Sequence, residues 1–327
     1  MALAAMDLEA AGLAAVCQAT FTLGSWRWGL WSPRDKSWLE SVQNRWQEQV
    51  RALPEMKLGA PIIPLIIHQI WLGSSTRPEI CEHFAEGWRR CHPTWEYRLW
   101  TDEHADALLD HHPRLAQAFK AASNPAEKSD ILRLVILQQH GGLYVDVDFE
   151  CLQPLDDLHR AASFYTGLSN VGAFELNNGL FAAAPGHALL SFLCEHVDKP
   201  WPEWGEADVD PAEAVAYQLQ RSGMLGMELP KGKASFLATT GPGFFTRAVM
   251  RAVTLFAGED PGVLICPPEV FYPLPNGKRK LPLEEIAAFR TRSSMAVHHW
   301  LRTWGAAEGL EEKCACCSKS EAAQCQS

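Results

Sequence analysis

The chain has 327 residues, 47% of them hydrophobic, and a formal net charge of -10. That length and apolar content can bury a sizeable core, as one large domain or two ordinary ones. The acidic balance excludes an electrostatic grip on nucleic acid, so any phosphate handled here must be met by a few local basic groups or by a metal.

Residues 1–60 read as a helical, Trp-rich extension carrying Trp26, Trp28, Trp31, Trp38 and Trp46. Its best apolar stretch, LEAAGLAAVCQATFTLGSW, contains Glu9 and Gln18 and has no basic residue before it. A secretory signal or a membrane anchor is therefore not the expectation. Pro54, Gly59, Pro61 and Pro64 then break the chain. IIPLIIHQIWLG is a short apolar run ended by Gly73, the pattern of a buried strand. PEICEHFAEGWRRCHP reads as a helix closed by Pro93, WEYRLW as an alternating strand, and TDEHADALLDHH as a helix capped by Thr101 or Asp102. NPAEKSDILRLVILQQHGG is the clearest helix: Asn124 can cap it, Pro125 suits its first position and Gly141 stops it. LYVDVDF follows as a strand. Strands alternating with helices predict an α/β fold with a largely parallel sheet. After residue 306 charges, small residues and four of the ten cysteines (Cys314, Cys316, Cys317, Cys325) predict a mobile tail, without the spacing of a zinc site.

Asp146 and Asp148 stand one residue apart in an apolar run. On a strand, i and i+2 face one side, so the two carboxylates would point together and repel each other. A divalent cation removes that cost, and hard oxygen ligands suit Mn²⁺ or Mg²⁺. A solvated strand end is the plainer alternative. One helix earlier, Asp130 and Arg133 lie three residues apart on one helical face among Ile131, Leu132, Leu134 and Val135. Such a pair needs partners. It is either an internal salt bridge or a part of the same cleft, where a cation and an anion together can bind a phosphorylated, polyhydroxylated ligand.

The ordered set IPLIIHQIWLG, HPTWEYRLWTD, AEKSDILRLVIL, GGLYVDVD, NNGLFAAAPGH, TGPGFFT and VHHWLRTW resembles the DXD-containing family 32 glycosyltransferases over residues 61–305. That family includes yeast initiating α-1,6-mannosyltransferases and the catalytic subunits of mannosyl phosphorylinositol ceramide synthase. The spacing from Asp130 through Arg133 and Tyr144 to Asp146 and Asp148 is also similar to that of bacterial glucosylating toxins.

The resemblance implies a GT-A fold, Rossmann-like, with a mostly parallel sheet flanked by helices. It implies metal-dependent, retaining transfer of a sugar from a nucleotide-diphosphate donor, GDP-mannose before a UDP-sugar, to a glycan or glycolipid such as inositol phosphorylceramide. Position by position, Trp71 would stack on the nucleotide base, and Asp130 and Arg133 would hold hydroxyls of the donor sugar. Tyr144 falls within the donor-site spacing. Asp146 would contact ribose and sugar with a share in the metal, and Asp148 would bind Mn²⁺ directly. His298 matches the late histidine near metal and diphosphate. Its neighbour His299 should face the other way. Thr303-Trp304 stands where the family usually has Ser-Trp. Asn178, in a segment that could be a turn, would lie near acceptor or donor sugar, and Glu175 is the nearest carboxylate for a covalent route. Trp201 and Trp204, and the basic run Lys278-Arg279-Lys280, are acceptor-side candidates. A Golgi or endomembrane location and a membrane regulatory subunit rest on the resemblance alone. Two rival readings are a non-catalytic sugar-nucleotide or glycan-binding module and a Mg²⁺-dependent phosphohydrolase of the haloacid dehalogenase type.

Overall fold

The computed structural model describes residues 59–171, 175–199, 239–255 and 262–301. The expected Trp-rich extension up to residue 58, Trp201, Trp204, Thr303, Trp304 and the Cys-rich tail lie outside the described residues. In chain order the elements are β1 (Ile66–Ile70), α1 (Glu79–Cys91), β2 (Glu96–Trp100), α2 (Asp102–Leu109), α3 (Pro113–Ala121), α4 (Pro125–His140), β3 (Gly142–Val145) and β4 (Phe149–Cys151). Then come α5 (Asp156–Ala161), β5 (Phe164–Leu168), β6 (Leu176–Ala183), α6 (Ala188–His196), α7 (Pro242–Leu255), β7 (Val263–Cys266), α8 (Pro268–Phe271), α9 (Leu283–Ile286) and β8 (Ala296–His298).

The main sheet has the order β2-β1-β3-β6-β5-β7. β1 pairs parallel with β2 and β3, β5 pairs parallel with β7, and β6 runs against both β3 and β5. Every strand of this sheet except β6 therefore runs the same way, which is the expected mostly parallel sheet with flanking helices. β4 and β8 form a separate antiparallel ribbon, with Phe149 opposite His298.

The helices follow their local chemistry. α1 buries Ile80, Cys81, Phe84, Ala85 and Trp88 as one stripe, with Glu79 and Glu82 in its first turn and Arg89 and Arg90 in its last, the signs the helix dipole favours. Trp88 Nε1 donates to Phe149 O at 2.9 Å, which fastens α1 to the ribbon. The helix expected over residues 101–112 is α2, and a further helix, α3, follows it. α2 ends at Leu109, and Pro113, which has no amide hydrogen to lose, opens α3. At the start of α4, Asn124 Oδ1 accepts from Glu127 N at 2.9 Å while Glu127 Oε2 accepts from Ser123 N at 2.8 Å. Every residue of α4 from Asp130 to Leu137 is buried, because this helix packs against β1, β3 and β6.

The turn from α4 into β3 depends on Gly142. Its φ is 101°, and a Cβ there would sit 2.7 Å from Ile66 O and 3.0 Å from His68 Nε2. Only glycine lets β3 enter so close to β1. His68 completes the turn. Trp100 Nε1, which can only donate, gives its hydrogen to His68 Nδ1 at 3.0 Å, so the ring proton is on Nε2 and goes to Gly141 O at 2.9 Å. Both ring nitrogens are occupied with the imidazole neutral.

Burial lowers the pKa of both His68 and His159 to about 3, against which their backbone hydrogen bonds to Gly141 and Ile63 work only in part. Their unfolded value is near 6.5, so between about 6.5 and 3 the unfolded chain binds more protons. The stability that the neutral rings contribute is fully present above pH 6.5 and is lost as the pH falls toward 3. Urea unfolding at pH 7 and pH 5 should therefore show a smaller loss of stability on acidification for His159→Phe than for the unaltered chain; equal losses would contradict this.

Candidate active site

Four segments converge at the ends of β3 and β6. α4 supplies Asp130 and Arg133, three residues apart and both nearly fully buried. Arg133 Nη2 lies 3.2 Å from Asp130 Oδ1, its Nη1 lies 3.5 Å from Asp146 Oδ1, and Nη1 also donates to Asn178 O at 2.6 Å. The guanidinium lies over the Tyr144 ring, 4.4 Å from its centroid. The two alternatives for Asp130 and Arg133 thus hold together: they pair with each other, and Arg133 reaches the aspartate pair as well.

The expectation that Asp146 and Asp148 sit on a strand is corrected. β3 ends at Val145, and the two acids occupy a turn closed by Phe149 N donating to Asp146 O at 3.2 Å. The carboxylates converge because this turn folds them together, and strand alternation plays no part. Asp146 is anchored on both sides: its N–H donates to Gly179 O at 2.8 Å, and its carbonyl accepts from Gln69 Nε2 at 3.3 Å. Gln69 is itself held by Tyr97 OH, 2.5 Å from its Oε1. Tyr144 OH donates to Asp146 Oδ1 at 2.6 Å.

Asn178 lies in β6 rather than in a turn. The pairing of β5 with β6 jumps from Thr166–Phe181 to Gly167–Asn177, so residues 178–180 bulge. The bulge aims Asn178 at α4, where its Nδ2 donates to Asp130 Oδ1 at 2.8 Å. Gly179 is needed at the same place: a Cβ would lie 2.8 Å from Asp146 Oδ2 and 2.9 Å from Asn177 Oδ1. Glu175 Oε1 accepts from Ser169 Oγ at 2.8 Å and from Asn177 Nδ2 at 3.4 Å.

β8 brings His298 from far down the chain. His298 Nε2 is 3.2 Å from Asp148 Oδ1, and its ring stacks on Phe149 at 4.3 Å and meets Trp300 at a tilt, 4.0 Å between centroids. His299 faces away from the pair, with Nε2 3.0 Å from Glu150 Oε2. Trp300 then adopts the left-handed region, with φ 57°. For so bulky a residue this costs about 1–3 kcal/mol. The indole is held by Nε1 donating to Leu274 O at 3.0 Å. The kink turns the next amide back, and Leu301 N donates to Asp148 Oδ2 at 2.8 Å.

The ligand atoms of Asp146, Asp148 and His298 all lie within 4.8 Å of one another. Two carboxylate oxygens and one imidazole nitrogen suit a cation such as Mn²⁺. Asp148 and His298 are buried, whereas the Asp146 side chain is 29% exposed, so the cluster is open on the Asp146 side. The two acids differ in character. Burial and the neighbouring Asp148 raise the Asp146 carboxyl against the pull of Arg133. Burial also opposes ionisation of Asp148, but His298 and the Leu301 amide outweigh it and hold that carboxyl below its ordinary value. Burial raises Asp130 to about 6, with Arg133 opposing.

Trp71 follows β1 and is half-buried against the small cluster of Ile80, Cys81, Phe84, Val147 and Leu301, with Nε1 donating to Ser75 O at 2.7 Å. It shares that cluster with both sides of the aspartate turn. Lys278, Arg279 and Lys280 lie on the surface loop between α8 and α9. Sequence reasoning did not single out Thr240, whose Oγ1 donates to Asp130 Oδ2 at 3.1 Å, nor Gln69 or Glu150. The small-residue run of TGPGFFT was a signal for the first. An acid two places after Asp148 was a signal for the last.

Residues 78–165 match the model of the glycosyltransferase sugar-binding region containing a DXD motif. The chain is 34% identical over 157 residues to mannosyl phosphorylinositol ceramide synthase SUR1 of Saccharomyces cerevisiae, covering 45% of this chain and 39% of that protein. It is 30% identical over 158 residues to inositol phosphoceramide mannosyltransferase 2 of Schizosaccharomyces pombe, covering 45% and 44%. The chain thus spans well under two thirds of the length of the curated relatives it matches. Among solved structures, the ligand-free glycosyltransferase domain from the YGT toxin aligns at a TM-score of 0.45 and 13% identity, over 63% of this chain and 80% of that one.

Replacing Arg133 by Met leaves Asp130 buried without its cation, an arrangement that costs about 3–5 kcal/mol. The expected result is a loss of that size in urea unfolding, partly recovered when Asp130→Asn is added, because the amide needs no counter-charge. Additive losses in the double variant would sink this account.

Proposed function

We propose that this chain, whose residues 78–165 match the DXD-containing sugar-binding region of glycosyltransferases, is a metal-dependent, retaining enzyme that transfers a sugar from a nucleotide-diphosphate donor to a glycan or glycolipid. The observation that carries the reading is the open three-ligand cluster of Asp146, Asp148 and His298 beside the buried Asp130–Arg133 pair. Relatives named as inositol phosphoceramide mannosyltransferases support mannose as the sugar and inositol phosphorylceramide as an acceptor; GDP-mannose as the donor before a UDP-sugar follows from the motif resemblance. An endomembrane, Golgi-type setting and a membrane regulatory subunit belong to this proposal on the motif resemblance alone. Among the described residues no helix is long and apolar enough to cross a membrane.

In this reading Asp148 and His298 are the direct holders of Mn²⁺ or Mg²⁺, and Asp146 divides its carboxylate between the metal side and the donor. A bound cation supplies the charge that stabilises the departing nucleotide diphosphate. Trp71 offers its half-buried ring to the nucleotide base. Arg133, fixed by four partners, contributes positive potential beside the diphosphate without having to reorganise. Asp130 Oδ1 is already taken by Asn178 and Arg133, and among the described residues its Oδ2 accepts from Thr240 alone, which leaves one acceptor position for a donor-sugar hydroxyl. Tyr144 orients Asp146, and Asn178 orients Asp130. Glu175 is engaged by Ser169 and Asn177, which supports same-face attack, with the leaving phosphate taking the acceptor proton, over a covalent intermediate on that carboxylate.

The purified chain, given a panel of GDP- and UDP-sugars with Mn²⁺ or with EDTA, should release nucleotide diphosphate from one donor only when metal is present. Asp148→Asn should lower that rate at least roughly a hundredfold. Binding without turnover would favour the non-catalytic module. Hydrolysis of simple phosphoesters with indifference to nucleotide sugars would favour the phosphohydrolase.

A further inference from the structure

One charged cluster lies behind the site and takes no part in the reading above. Glu150, the middle residue of β4, accepts at a single oxygen, Oε2, from Arg290 Nη2 at 2.8 Å and from His299 Nε2 at 3.0 Å. His299 is also held by its ring, stacked on Phe84 at 4.6 Å, and by its backbone, whose N–H donates to Asp148 O at 3.0 Å. It stands between the two groups that address Asp148. His298 precedes it, and the left-handed Trp300 follows, turning the Leu301 amide onto Asp148 Oδ2. A strained backbone persists only where its surroundings over-determine it. The residue that must not move for that turn to persist is His299.

We propose that Glu150 is a positioning residue: its carboxylate, gripping His299 and Arg290 at once, fixes the end of β8 so that His298 and the Leu301 N–H stay aimed at Asp148. The proposal rests on the reading of Asp148 and His298 as metal holders. Groups that orient metal ligands typically change metal affinity ten- to a hundredfold when removed, although they touch no metal. The other end of the same ribbon has an independent clasp, Gln153 Nε2 donating to Arg292 O at 3.0 Å and Ser294 O at 2.9 Å. That clasp is a built-in control, since it fastens the ribbon without touching residues 298–301.

Glu150→Ala in the full chain, read by hydrogen exchange and by Mn²⁺ titration followed by electron paramagnetic resonance, tests this. The expected result is His299 and Leu301 amides exchanging at least roughly tenfold faster, α4 amides unchanged, and the Mn²⁺ dissociation constant raised roughly ten- to a hundredfold. Glu150→Gln, which keeps an acceptor oxygen for His299, should recover most of both. Gln153→Ala should lower the melting temperature and leave Mn²⁺ affinity unchanged. A Glu150→Ala chain with a lower melting temperature but unaltered Leu301 exchange and Mn²⁺ affinity would make Glu150 merely structural. If the unaltered chain binds no Mn²⁺, the metal reading fails, and the exchange of His299 and Leu301 alone decides for or against Glu150.

Discussion

The guanidinium of Arg133 is buried in the stretch of α4, Asp130 to Leu137, in which every residue is buried, and the surrounding architecture follows from the need to satisfy it. An unpaired cation in that place would be untenable. Its nitrogens are met by four oxygen partners, Asp130, Asp146 and the Ser129 and Asn178 carbonyls, and its plane lies over the face of Tyr144. Those partners come from α4 itself, β3, the turn beyond β3 and the bulge in β6. One buried charge therefore ties the helix, two strands and the aspartate turn into a single arrangement. Burial lowers the tendency of Arg133 to stay charged, yet Tyr144, Asp146 and Asp130 outweigh that and hold it above its ordinary value.

The two aspartates are neighbours with opposite surroundings. Asp148 receives His298 and an aimed amide, so it stays ionised in a buried place. Asp146 receives Tyr144 and Arg133 but feels the charge of Asp148, so its ionisation is opposed. Two carboxylates made unequal in this way can take two roles, one buried and held toward its anionic form, the other partly exposed and open to a ligand. The strained Trp300 backbone belongs to the same division, because the kink is what delivers the Leu301 amide to Asp148 alone.

Several elements were legible because their signals are local. Asn124, Pro125 and Gly141 mark α4 by capping chemistry that acts within one turn, a short apolar run marks β1, and the alternation of WEYRLW marks β2. The mostly parallel sheet followed from strands alternating with helices. The helix α3 was not read, although Pro113 was a signal for its start. The placement of Asp146 and Asp148 on a strand went wrong for a different reason. Hydrophobic alternation cannot distinguish a strand that continues from one that has just ended in a turn, and here the chain turns at Asp146, closed by Phe149 N donating to Asp146 O.

By itself the sequence determined the residue types and their order: a DXD pair after a glycine turn, an acid and a base one helical turn apart, and a late histidine with a motif resemblance that tied them together. Their spacing along the chain carries that information, because capping, periodicity and motif order act over a few residues. Tertiary structure alone decided that Asn178 and Thr240 saturate most of Asp130, that Trp300 is strained, and that Glu150 reaches His299 and Arg290 across about 140–150 residues of chain. These are long-range contacts between polar side chains, fixed by where buried charges can find partners once the core has packed, and no local pattern encodes them.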